Sequence, residues 1–167
     1  MNAFEYIQRT REYLDYLEEH ITNVQRAFEE VRRKCYDMRF IYDDYCYWEL
    51  KSAVRHHDLS KFSKEEFTQY REKFFPVEGE TGEGFSSAWE NHKKENTHHW
   101  ENWTQRDTFN PYEWEINCTH MVIDWLAMGY KFNDTPRAFF EKNREKIHIP
   151  EHAIEFIYEI FERLETR

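Results

Sequence analysis

The run Arg55 to Phe67, RHHDLSKFSKEEF, sets His57 directly before Asp58, with Lys61 close behind. An imidazole and a carboxylate side by side are two metal ligands delivered by one piece of backbone. His20 lies upstream, and His92, His98, His99 and Asp124 lie downstream. Nitrogen and oxygen donors of this kind suit one or two first-row transition-metal ions such as iron, manganese, nickel, cobalt or zinc. Each donor also has an ordinary reading. His20 taken alone is a core-edge histidine bonded to a carbonyl, and Lys61 is an exposed lysine at a helix start. Asp124 is one half of a structural salt bridge. His92, His98 and His99 form an aromatic packing cluster with Trp89, Trp100 and Trp103. Two features favour ligation over these. Asp124 sits in the apolar run VIDWL, where a carboxylate without a cation or strong hydrogen bonds is costly. Three histidines packed among tryptophans are hard to explain as solvated surface.

The elements that must position these groups read as helices. Leu14, Leu17, Ile21, Val24, Phe28, Val31 and Cys35 recur at three- and four-residue steps, so Phe4 to about Cys35 is one helix with His20 flanking its apolar stripe. Arg39 to Val54 reads as a second helix, with Tyr42, Tyr45, Tyr47 and Trp48 in packing roles and His57 and Asp58 in its last turn. Ser60 and Ser63 offer caps for a third, Lys64 to Phe75, and Ser63 with Glu66 spells a capping box. Val77 to Gly84, VEGETGEG, is an acidic surface loop with no phosphate-cradling G-x-x-x-x-G-K pattern. Ser86 or Ser87 caps a helix through His92, and Thr97 caps a new turn carrying His98 and His99. Asn110-Pro111 opens the helix that carries His120 and Asp124, with Gly129 near its end. His120, one turn before Asp124, is a neutral partner or supporting group for it. Thr135-Pro136 opens Arg137 to Ile147, and Pro150 opens the last helix. His148 and His152 read as surface. The expectation is an all-α bundle of roughly six or seven helices forming a single domain over 1–167.

Composition fits that class. With 167 residues, 40% hydrophobic and 19% aromatic, there is enough material for one core, and 4 glycines with 4 prolines argue against a turn-rich β fold. The net charge of −10 disfavours a protein that grips a nucleic-acid polymer. It leaves a small phosphorylated substrate open, because bound cations reverse the local field. No apolar run reaches the ~20 residues of a membrane span, and MNAFEYIQRTREYL is no signal peptide. Cys35, Cys46 and Cys118 read as buried reduced thiols, which points to a cytoplasmic protein; oligomeric state is open.

The order His20, His57-Asp58, His92, His98 or His99, Asp124 resembles the H…HD…H…H…D signature of the HD-domain superfamily. More narrowly, HDLSKFSKEEF, AWENHKKENTHHWENW and MVIDWLAMGYKF resemble an uncharacterised bacterial and phage family known only as a domain of unknown function. The wider resemblance implies an all-helical metalloprotein, in most cases a phosphohydrolase. It implies that His20, His57, Asp58 and Asp124 hold one metal and that Asp58 bridges to a second on His92 and His98 or His99, with His98 favoured. Asp58 and Lys61 then carry the chemistry, Lys61 balancing charge on the phosphoryl group. The same signature also belongs to mixed-valent di-iron oxygenases. A third reading is a non-catalytic interaction protein with a metal as a structural staple.

Overall fold

The computed structural model describes residues 2–104 and 112–166, and every regular element among them is helical. The first, α1 (Ala3–Lys34), begins where the Asn2 side chain accepts the Phe4 N–H and ends on Arg32, Arg33 and Lys34, which complement the helix dipole. Its buried face is Tyr13, Leu17, His20, Val24, Ala27, Phe28 and Val31. His20 therefore lies on the stripe itself. Leu14, expected inside, is 40% exposed because Tyr13 takes the inward position.

The expected second helix is two: α2 (Arg39–Tyr42) and α3 (Asp44–Arg55). Asp43 breaks the run, adopting an extended backbone and accepting the Cys46 N–H at 3.0 Å. A short carboxylate offers the backbone an alternative to the helical ladder. The break aims Cys46, Leu50 and Val54 inward, so Tyr45 and Trp48 are exposed rather than packed. Tyr42 is exposed too, and of the four aromatics Tyr47 alone packs on the core, against Phe28. Because α3 stops at Arg55, His57 and Asp58 lie beyond its last turn. Asp58 is left-handed, with φ 59°, and leads into a single 3-10 turn, Leu59–Phe62.

Next, α4 (Phe67–Phe74) starts later than the capping box implied: the Ser63 hydroxyl has no partner among the described residues, and Glu66 is engaged elsewhere. Phe74, expected inside, is exposed, whereas Arg71 is fully buried. Arg71 forks onto the carboxylate of Glu80, clipping the Val77–Gly84 loop to α4. The helices α5 (Phe85–Glu95) and α6 (Trp100–Trp103) follow, capped at Gly84 and His99 by position and not by Ser86, Ser87 or Thr97. The expected Asn110-Pro111 start lies outside the described residues. Then α7 (Glu113–Phe132) runs past Gly129 to Asn133, which is left-handed at φ 54°. Thr135 caps α8 (Pro136–Asn143) through the Ala138 N–H, and α9 (Glu151–Glu165) closes the chain. The three cysteines are buried and unbridged. No helix among the described residues is long and apolar enough to cross a membrane.

The centre of the bundle is α7, buried along most of its length, with α1, α3 and α9 laid against it. These form the large apolar cluster that includes Val24, Phe28, Leu50, Met121, Ile123 and Ile157. A second cluster, Tyr13, Leu17, Tyr70 and Ala88, joins the start of α1 to α4 and α5. His20 falls between Leu17 of one cluster and Val24 of the other. The seam between them is where the polar residues collect.

Gly129 locates the end of α7 sterically. A Cβ there would stand 2.4 Å from the Asp134 carbonyl oxygen and 3.2 Å from its carbon, backbone atoms that cannot simply rotate away. Gly129→Ala is therefore expected to destabilise by about 2 kcal/mol, despite alanine's better helix propensity. In a thermal melt followed by circular dichroism this is a fall of about 4–8 °C. An unchanged or raised Tm would show that the α7–α8 turn is not held this tightly.

Candidate metal centre

Four separate elements feed one buried point. His20 comes from α1, His57 and Asp58 from the turn after α3, His92 from α5 and Asp124 from α7. The Nε2 atoms of His20 and His57 lie 2.9 Å apart. Asp124 Oδ1 is 3.3 Å from the first and 3.4 Å from the second. Asp58 Oδ2 is 3.4 Å from His20 Nε2. On its other side, Asp58 Oδ1 faces His92 Nε2 at 3.2 Å and His98 Nε2 at 3.4 Å. The structure thus brings together His20, His57, Asp58, His92, His98 and Asp124. Lys61 joins them, its Nζ 2.6 Å from Asp58 Oδ2 and the residue only 9% exposed.

The left-handed turn at Asp58 makes this possible. It swings the carboxylate back between the imidazoles, a conformation that aspartate and asparagine tolerate better than other non-glycine residues. His98 and His99 separate clearly. His98 is buried and faces Asp58, whereas His99 is half-buried, with its ring 5.0 Å from Trp89; both lie on the wall of a cavity.

These spacings fit a metal ion. Bonds of about 2.1 Å to nitrogen and oxygen place neighbouring ligand atoms about 3.0 Å apart in an octahedron and about 3.4 Å apart in a tetrahedron. The distances around His20, His57 and Asp124 fall on those edges. His20, His57 and Asp58 form one group whose donor atoms lie within 4.8 Å of one another, and His92, His98 and His99 form another. Asp58 Oδ1 is buried and accepts no hydrogen bond in good geometry from the described residues. A buried, ionised, unsatisfied oxygen calls for a cation.

The family comparison can now be set beside this geometry. Residues 9–163 match the family of unknown function DUF5662, nearly the whole chain. The chain belongs to DUF5662. No curated protein and no solved structure matches it.

The protonation states of this DUF5662 site suit ligation. Burial works against the charge on Asp58, but His57, Lys61 and bonds from His20 and His92 hold it well below the usual carboxylate range. Asp124 is held low in the same way by His20 and His57. Burial and the neighbouring His57 push His98 well below the ordinary imidazole value and His120 down to about 3. His99 falls to about 4, through burial and His92. Burial would also lower His20, but bonds to Asp124 and Asp58 prevail and raise it to about 9. A protonated His20 supplies positive charge that a metal can replace, and neutral imidazoles are the ligating form.

Two supporting residues hold partners that the sequence did not name. His120 was expected beside Asp124. Its Nε2 instead lies 3.0 Å from His57 Nδ1, which fixes the ring of His57 from behind. Glu66 was read as half of a capping box. It is fully buried, with Oε2 2.9 Å from His92 Nδ1, and it accepts hydrogen bonds from Ser60 Oγ at 3.0 Å and Asn91 Nδ2 at 2.8 Å. Only the fold tells these roles from a helix cap, since no local pattern marks them.

Glu66→Ala removes the acceptor shared by His92, Ser60 and Asn91. Stability should fall by about 1–3 kcal/mol, and metal affinity by about 10–100-fold because the His92 ring loses its orientation. Chemical denaturation with metal titration checks both. Wild-type affinity in a folded Glu66→Ala variant would remove His92 from the centre.

Proposed function

We propose that the chain is a dinuclear metal-dependent hydrolase acting on a small phosphoester. The observation that carries the reading is the placement of Asp58: Oδ2 turns to His20 and Lys61, while Oδ1 lies closest to His92 and His98, with His57 Nε2 slightly farther from it at 3.6 Å. A carboxylate with a separate donor group at each oxygen is suited to bridging. His20, His57, Asp58 and Asp124 would hold one ion, and His92, His98 and Asp58 the other. Resident ions there would supply Lewis acidity that activates water and steadies the developing charge of the reaction.

The chain's own groups have distinct tasks. His120 and Glu66 lock the rings of His57 and His92, so the donors are pre-oriented. Lys61, ion-paired with Asp58 and nearly buried, adds positive charge on the side away from His92, where an anionic phosphoryl group is stabilised most strongly because little water competes. Asp124, with 17% of its side chain exposed, lies at the boundary between the centre and a cavity of about 470 Å³ and is the point at which a substrate would meet the site. The resemblance to HD-domain phosphohydrolases supports this assignment.

A second reading keeps the donors and changes the reaction to oxygenation by a di-iron pair. It is favoured by the cavity wall, which among the described residues is mostly aromatic and aliphatic with Lys146 as its one lysine. That environment suits an apolar carbon substrate better than a highly charged one.

Metal analysis of protein purified without chelator, with an absorption spectrum, divides these readings. Manganese, nickel, cobalt or zinc with turnover of nucleotides or other phosphoesters supports hydrolysis. About two irons per chain with visible absorption and no phosphoester turnover supports oxygen chemistry. Absence of stoichiometric metal sinks both and leaves an interaction protein. Asp58→Asn keeps the left-handed turn and removes only the charge. It should lose hydrolysis by about a hundredfold or more with helicity retained. Lys61→Ala should lower turnover less and leave metal content intact.

A further inference from the structure

The cavity beside Asp124 has a chemistry of its own. Its volume of about 470 Å³ is that of a small-molecule site, and Trp89, Trp100, Trp125 and Phe139 supply much of its wall. Glu101 also lines it. This carboxylate belongs to the short helix α6, and its Oε2 is buried with no hydrogen-bond partner among the described residues. Nothing in the fold accounts for an unsatisfied carboxylate oxygen on an aromatic wall, and leaving one there is costly. The final torsion of a glutamate is soft, so either oxygen can turn toward a ligand.

Charge in the cavity points the same way. Among the described residues, Asp124 aside, two carboxylates line it, Glu101 and Asp134, against the single ammonium of exposed Lys146. Asp134 already accepts the Thr135 N–H at 2.8 Å, which leaves Glu101 as the acid without an internal role. Aromatic faces attract cations through the ring quadrupole, most strongly where water is scarce.

We propose that the cavity binds the organic part of the substrate as an amine: an apolar, ring-sized body carrying an ammonium group that pairs with Glu101. This rests on the centre being the reacting site, with the phosphoester end of the same molecule turned toward Asp124 and Lys61. Glu101 is a specificity-determining residue that lies outside the metal-ligand set.

The test is calorimetric binding to the metal-replete protein at neutral pH of three probes with one ring: tryptamine, its neutral alcohol tryptophol, and anionic indole-3-propionate. Tryptamine should bind at least about tenfold more tightly than tryptophol, and indole-3-propionate weakest, since a charge-assisted hydrogen bond is worth that much. Glu101→Gln, with helicity matched to wild type, should bring tryptamine to within about twofold of tryptophol and leave tryptophol unchanged. Equal binding of the three probes by wild type, no binding at millimolar concentration, or an undiminished preference in Glu101→Gln would each overturn the proposal. Metal content of the same samples separates the two readings. Metal-free protein that prefers tryptamine upholds the cavity and sinks the centre, whereas metal-loaded protein without the preference does the reverse.

Discussion

Two carboxylates, Asp58 and Asp124, are gathered at one point in the interior, and among the described residues only Lys61 brings a permanent positive charge to them. That imbalance governs the rest of the structure. A buried carboxylate is strongly destabilising unless a cation or several hydrogen bonds meet it. The fold therefore directs imidazoles to the same place from α1, from the turn after α3, from α5 and from the stretch before α6. Without metal, His20 carries a proton to restore balance. With metal, the ion supplies the charge and the imidazoles are free to be neutral. Either way, parting α1 from α7 breaks the contact of His20 with Asp124, so the two helices are joined by electrostatics as well as by packing.

The outer contacts follow from this centre. Lys61 and Asp58 are three residues apart on a tight 3-10 turn, so the cation reaches its anion within one local element. Glu66 lies just beyond, and its carboxylate turns inward to His92 instead of back to the Ser63 amide. Had it closed the capping box, His92 Nδ1 would have lost its carboxylate partner, keeping only Ser60 Oγ and Asn96 Nδ2, and α4 would have started a turn earlier. Stability of one helix end is exchanged for orientation of one ligand ring.

The sequence disclosed what local periodicity and apolar context can disclose. His20 stood out because it flanks a steady apolar stripe, and Asp124 because VIDWL offers it no local cation. The all-helical class was legible from the same periodicity. Asp43 was missed because an aspartate in the middle of a run looks like any solvated helical position until its side chain is seen taking the Cys46 N–H. The exposure of Tyr45 and Trp48 follows from that single break. His120 and Glu66 were named with the wrong partners, since what they touch is brought to them from 63 and 26 residues away. The Arg71–Glu80 pair is similar. Both residues look solvated in the sequence, and burial of the guanidinium appears only once the loop folds back on α4.

The choice between His98 and His99 shows how two adjacent side chains come to serve different regions. They precede α6 on a turn in which the His99 N–H bonds back to the Asn96 carbonyl at 3.1 Å, and their ring centroids lie 4.4 Å apart. The His98 ring faces Asp58 while also lining the cavity, and the His99 ring lies against Trp89 on the same wall. Asp124 performs the matching division from the α7 side, with one oxygen near His20 and His57 and part of its surface on the cavity. Centre and cavity thus share a wall only a residue thick, made of His98, His99 and Asp124. Any molecule filling the cavity displaces water from Asp124 and strengthens its interactions with His20 and His57, because screening falls as water leaves. Occupancy of the apolar side is thereby felt at the polar side without movement of a helix, and a rigid centre can respond to what lies in the cavity beside it.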